Sequence, residues 1–145
     1  MTALVYPEFG ARIGSMIVGD QEIFMTGGAT DDPLSWGCYP MVPYAGRVRD
    51  ATLKFAGEQF PLKNNLPPHS LHGTVFDRPW NVAKNSPSEI ELVIDLGDEW
   101  PFAGTVQHHI QLTDSKIEMQ LTVNAMLNSS AKWPVGAKIN LEHYC

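Results

Sequence analysis

The sequence predicts an all-β protein, an antiparallel β-sandwich folded as one domain, and three observations carry that expectation. Apolar residues alternate with polar ones across 89–96, 106–112 and 117–123, the period of strands with one buried face. Turn residues separate these runs at regular, short spacing. No convincing helical period of apolar residues appears in the chain, and strands without intervening helices point to antiparallel pairing rather than βαβ units.

A chain of 145 residues suits a single domain spanning 1–145, of a size that buries roughly 68–70% of its unfolded surface. The composition is 43% hydrophobic and 18% charged, which is globular rather than disordered. Net charge is -6 with a pI of about 5.2, and lysine plus arginine total 10. That balance lacks the basic footprint needed to hold a phosphate backbone, so nucleic acid is not an expected partner. The amino-terminal Met-Thr-Ala-Leu-Val-Tyr-Pro-Glu has neither the basic nor the apolar region of a secretory signal. No apolar run approaches the roughly 20 residues that span a bilayer, so no membrane is expected either. Cys38 and Cys145 are too few and too scattered for a disulfide framework or a metal knuckle, and a reducing cytoplasm is the expected setting.

Taken in order, Arg12 to Val18 and Glu22 to Met25 read as strands joined at Gly19-Asp20, a dipeptide suited to a tight hairpin. Asp31-Asp32-Pro33 follows in a glycine-rich loop and reads as solvated turn residues rather than a metal or acid/base pair. Prolines at 40 and 43 make Tyr44 to Arg47 stiff and irregular. Gly46 permits a sharp turn that would present the Arg47 guanidinium to the oxygens of a polyol or anion. A surface arginine paired with a carboxylate is the alternative. Thr52 to Phe55, a turn at Ala56-Gly57-Glu58-Gln59, and Phe60 with Leu62 form a β-hairpin. Asn64, Asn65, Pro67 and Pro68 then break the strand before Leu71-His72-Gly73. The hairpin returns the chain on itself, so Arg47 and His72 are expected to meet.

Further on, 76–87 is polar and turn-rich around Trp80, and 89–96 is a half-buried strand with Ile90, Leu92, Ile94 and Leu96 inward. The loop Gly97-Asp98-Glu99-Trp100-Pro101-Phe102 admits two readings. Its rings form a platform for the apolar face of a sugar, or they plug the end of the core. Two final strands, with Val106, His108, Ile110 and Leu112 on one and Ile117, Met119, Leu121 and Val123 on the other, flank a Thr113-Asp114-Ser115-Lys116 turn. His108 and His109 point to opposite faces of their strand and so do not share a metal; one reads as core and one as surface.

Pro43-Tyr44-Ala45-Gly46-Arg47-Val48, Leu53 and Phe55, Asn65, and Leu71-His72-Gly73 together resemble the signature region of the aldose 1-epimerases, or galactose mutarotases. Gly10-Ala11-Arg12-Ile13, Trp80, Trp100-Pro101-Phe102 and Pro134-Val135-Gly136 occur in the order of the family's bacterial branch. The resemblance implies part of a galactose mutarotase-like β-supersandwich, a hexose substrate, phosphorylated or not, and interconversion of its α and β anomers without a cofactor or metal. By that resemblance Arg47 and His72 hold sugar hydroxyls and the ring oxygen, and Trp100 lies near the site. The family's proton-transfer histidine follows a Pro-x-Gly motif, and here that position is Asn140, with His143 three residues later. The family's glutamate base comes later than Cys145. The chain thus resembles the amino-terminal portion of such a protein. Catalysis is expected to be weak or lost, His143 being the one candidate for proton transfer and its pairing with Glu142 disfavoured. The alternative is a non-catalytic carbohydrate-binding domain or a vestigial fragment. A sandwich short of its later strands exposes strand edges, which favours a homo-oligomer.

Overall fold

The computed structural model describes residues 1–125 and 143–144. β1 (Thr2–Tyr6) and β2 (Arg12–Val18) pair antiparallel, and β3 (Gln21–Glu22) continues the sheet beyond β2. The turn between β1 and β2 depends on Gly10, which has φ +78° and whose Cβ, were it present, would lie 1.7 Å from the Phe76 carbonyl oxygen. β3 is shorter than sequence reasoning expected. The Glu22 carboxylate accepts the amides of Met16, Ile23 and Phe24 at 2.8, 3.1 and 3.2 Å, taking up groups that a longer ladder would use.

β4 (Tyr39–Pro40) and β5 (Arg47–Val48) precede the hairpin of β6 (Thr52–Phe55) and β7 (Glu58–Pro61). Ala56 and Gly57 turn that hairpin with φ of +51° and +85°, as a two-residue primed turn requires. β8 (Ser70–Leu71) then pairs back onto β5. A four-stranded antiparallel sheet follows, made from β9 (Asn81–Ser86), β10 (Glu89–Asp95), β11 (Gly104–Leu112) and β12 (Ile117–Ala125), with spatial order β12-β11-β10-β9. β13 (His143–Tyr144) pairs antiparallel with β4.

The core lies against the inner face of this sheet. Leu92, Ile94, Val106 and Ile110 contribute from β10 and β11, and Ile13, Val42, Leu62, Val75, Trp80, Trp100 and Phe102 close over them. Phe55 and Phe60 from the β6–β7 hairpin meet Phe102 edge-on, with ring centroids 5.5 and 5.2 Å apart. His108 is fully buried against Trp80, while His109 on the outer face contacts the Glu89 carboxylate at 2.9 Å. The two histidines therefore divide between core and surface, as strand alternation predicts. Asp31 and Asp32 accept the amides of Gly28 and Leu34 at 2.8 and 2.9 Å, the role of turn residues.

β1 and β9 were not foreseen. β9 exposes all six of its residues, so the alternation that reveals a half-buried strand is absent from it. Cys38, fully buried, is disulfide-bonded, which corrects the expectation of a chain without disulfides. Among the described residues no helix is long and apolar enough to cross a membrane.

Leu92 is fully buried at the centre of the four-stranded sheet. Leu92→Ala should lower unfolding free energy by about 2–5 kcal/mol, read from the shift of the urea midpoint at unchanged slope.

Candidate functional site

The site is assembled where two irregular segments, 41–47 and 69–74, run side by side. Arg47 is paired with Leu71 in the short β5–β8 ladder, which sets His72 one residue beyond the partner of Arg47. The next step is a parallel bridge between Val42 and Gly73, with the Thr74 amide donating to the Val42 carbonyl at 2.9 Å. Gly73 has φ +78°, and a Cβ on it would lie 1.8 Å from the Val42 carbonyl oxygen. Only glycine permits this approach.

Between those two pairings, Gly46 and His72 exchange hydrogen bonds. The His72 amide donates to the Gly46 carbonyl at 3.0 Å, and the Gly46 amide donates to His72 Nδ1 at 3.1 Å. His72 accordingly adopts φ +59°, a left-handed conformation that costs a non-glycine residue free energy unless its surroundings impose it. Because Nδ1 accepts, the neutral ring carries its proton on Nε2. Burial, and secondly the charge of Arg47, hold the His72 pKa below the usual histidine range. The neutral tautomer is thus the resting form.

Asn65 fixes β8 from behind. Its Nδ2 donates to the Leu71 carbonyl at 3.0 Å and its Oδ1 accepts the Leu71 amide at 2.7 Å, supplying the ladder partner that two-residue β8 lacks on that side. Tyr44 reaches across to the same strand, its hydroxyl hydrogen-bonded to the Ser70 hydroxyl. Burial raises the Tyr44 pKa, opposed by hydrogen bonds from Ser70 and Gly73 and reinforced by the charge of Glu99. Tyr44 is therefore a neutral donor and acceptor at any ordinary pH.

Trp100 is 7% exposed, tilted against Tyr44 with ring centroids 5.9 Å apart and edge-on to Phe102 at 5.8 Å. This is the plug arrangement of the two that the sequence left open. Trp100 acts on the site through Tyr44, and its faces are largely taken by other rings. Arg47, by contrast, is exposed and His72 half-buried.

A layer that sequence reasoning missed lies beneath His72. The Tyr39 ring meets the imidazole edge-on at 6.3 Å, and the guanidinium of Arg12 sits 5.0 Å from the Tyr39 ring centroid and 4.3 Å from that of Trp36. Arg12 is wholly buried and donates to the carbonyls of Phe9, Trp36 and Phe76 at 2.7, 2.8 and 3.3 Å. Its pKa is lowered by that burial, with Tyr39 and Asp77 opposing the shift. The only sequence signal was a cation inside the otherwise apolar run Ala11 to Ile13.

β13 brings the backbone of His143 opposite Pro40 and that of Tyr144 opposite Tyr39. Pro134-Val135-Gly136, Asn140 and Glu142 lie outside the described residues.

A family model described as aldose 1-epimerase matches residues 2–137. No curated protein matches the chain by sequence. Solved structures do match in fold. A candidate aldose 1-epimerase from Escherichia coli K12 superposes with a TM-score of 0.76 at 22% identity, over 85% of this chain and 42% of its own. A galactose mutarotase-like protein from Lactobacillus casei gives 0.67 at 22% identity, over 83% and 40%. An aldose epimerase homologue from C. elegans gives 0.66 at 22% identity, over 85% and 43%. The chain spans less than half the length of each.

The electrostatics of His72 are directly measurable. Its imidazole should titrate below about 6.5 in an NMR pH series. Arg47→Gln should move it upward but leave it depressed, because burial is the larger cause. Since the folded state binds that proton less readily than the unfolded chain, His72 costs stability as pH falls below the unfolded value and costs nothing well above it. A titration of His72 at or above the free-histidine value would contradict the assigned tautomer and burial.

Proposed function

The chain belongs to the aldose 1-epimerase family, and from that premise we propose that it binds a hexose between Arg47 and His72 and interconverts its α and β anomers. The observation that carries the reading is the β5–β8 pairing with its Gly46–His72 exchange, which puts a guanidinium and an Nε2–H imidazole on adjacent backbone positions.

Anomer exchange requires a base to take the proton of the anomeric hydroxyl as the bond from C1 to the ring oxygen breaks. The ring oxygen gains a proton, the C1–C2 bond rotates, and closure on the other face reverses the transfers. Arg47, permanently charged, donates to sugar hydroxyls and to the ring oxygen as negative charge builds there. His72, neutral with its proton on Nε2, assists as a hydrogen-bond donor rather than as a cationic acid. Tyr44, anchored on Ser70, walls the site through its phenol. His143 is assigned the proton transfer, its neutral imidazole taking the anomeric proton and the imidazolium so formed giving that proton to the ring oxygen. Its strand pairs with β4, one residue from the Tyr39 ring that touches His72, and general acid–base work of this kind is typically worth 10²–10⁴-fold. Asn140, standing where the resemblance places the proton-transfer histidine, supports a second reading, a sugar-binding unit in which the grip persists without turnover.

Polarimetry separates these. Fresh α-D-glucose or α-D-galactose should lose its excess rotation faster with the protein than in buffer, Arg47→Ala should abolish both the acceleration and any sugar-dependent rise in Tm, and His143→Ala should remove the acceleration alone. Sugar-dependent stabilisation without acceleration would leave the binding reading standing. No stabilisation at high sugar concentration would end both.

A further inference from the structure

We propose that the cavity beside the Arg12 layer is a binding site for a small zwitterion of the amino acid class, its carboxylate inward against Arg12 and Trp36 and its ammonium outward against Asp31 and Asp77. The cavity has a volume of about 160 Å³, and Phe9 and Pro33 line it together with those four residues. Arg47, Tyr44 and His72 are not among its walls, so it is separate from the proposed hexose site.

Its floor holds more N–H donors than acceptors. A guanidinium has five N–H groups, and the three hydrogen bonds of Arg12 go to the carbonyls of Phe9, Trp36 and Phe76, so two donors lack a partner among the described residues. Arg12 is wholly buried and enters no ion pair among those residues. Trp36 is 4% exposed, and its Nε1 is buried with no hydrogen-bond partner among them. Gly14 and Gly27 abut Cγ, Cδ2 and Cζ3 of that indole, the side away from nitrogen, and the Arg12 guanidinium covers a ring face at 4.3 Å. Carbonyls and rings offset part of the cost of burying the charge, but the unfilled donors remain costly. A carboxylate answers all of them at once, because it is acceptor-only and carries the missing negative charge.

The mouth has the opposite sign. Asp31 and Asp77 are both exposed there. Asp31 accepts the Gly28 amide through Oδ2 at 2.8 Å, which leaves Oδ1 for a guest. Asp77 lies 3.8 Å from Lys63, and that ammonium sits closer to Glu99, at 3.1 Å, so the Asp77 charge is only partly countered. A simple anion would have to pass two carboxylates, and a simple cation would meet a guanidinium beneath it. A neutral polyol fills the donors but leaves the Arg12 charge unpaired. A molecule with carboxylate and ammonium on one carbon matches both ends, and Phe9 and Pro33 give a short apolar side chain its wall.

L-alanine is the probe, followed through the indole N–H resonances of the intact chain, with Trp36→Phe identifying the signal of Trp36. That signal should move saturably with L-alanine. It should stay still with alaninamide, which lacks the carboxylate, and with propionate, which lacks the ammonium, at the same concentrations. Asp31→Asn combined with Asp77→Asn alters exposed positions only and should keep the circular dichroism of the unaltered chain while weakening the apparent affinity at least about tenfold. Arg47→Ala should leave the titration unmoved. The absence of a saturable shift with L-alanine, an equal response to alaninamide or propionate, or an affinity that the double Asp variant does not weaken would overturn the proposal. An equal response to glycerol would overturn it too, and would make the cavity a polyol site.

Discussion

The close crossing of Gly73 over the Val42 carbonyl governs the geometry of the site. Two backbones approach there to a distance that excludes any side chain on residue 73, and the approach is locked on either side. The Val42 carbonyl accepts from Thr74, and Gly46 and His72 satisfy one another in both directions. Because each bond fixes the same pair of segments, the left-handed φ of His72 is over-determined rather than left to the residue's own preference. Arg47 and His72 then inherit their relation from main-chain hydrogen bonds and not from contact with each other. That is a stiff way to hold two polar side chains, and preorganised donors are what stabilisation of developing oxygen charge requires.

The same arrangement explains the charge state of the site. Burial disfavours protonation of His72, and the neighbouring charge of Arg47 adds to the cost. Accepting from Gly46 at Nδ1 settles the tautomer as well. Beneath it, Arg12 is a buried cation whose partners are three carbonyls and two aromatic faces rather than a carboxylate. Desolvating a guanidinium is expensive, and here carbonyl dipoles and ring quadrupoles offset the cost. Trp36 and Tyr39 are thereby held in place, and Tyr39 forms the floor on which the His72 ring rests.

How much of this was legible in the sequence follows from the range of the interactions. The hairpin at Ala56-Gly57, the alternation of β10, β11 and β12, and the division of His108 from His109 are set by residues within a few positions of each other, and they read correctly. β9 did not, because six exposed residues leave no period, and β1 did not, because a bulge breaks its alternation. The meeting of Arg47 with His72 was legible because a hairpin between two proline-rich breaks has few ways to close. Trp100 could not be decided, since whether its ring faces solvent depends on Tyr44 and Phe102 lying on either side of it. The Arg12 layer was hidden for the same reason: its partners at 36 and 76 are far along the chain, and the one local mark of its burial is its place between Ala11 and Ile13.

The grip and the proton transfer therefore stand on different footings. Among the described residues, Arg47, Tyr44 and His72 are oriented by contacts from residues 42–74 and from the Tyr39 and Trp100 rings that back them. A base for the anomeric hydroxyl must instead be delivered by a segment that pairs onto this frame from elsewhere, as β13 does at β4. In the proposed reading, binding rests on one folded-back ribbon, whereas turnover rests on what docks beside it.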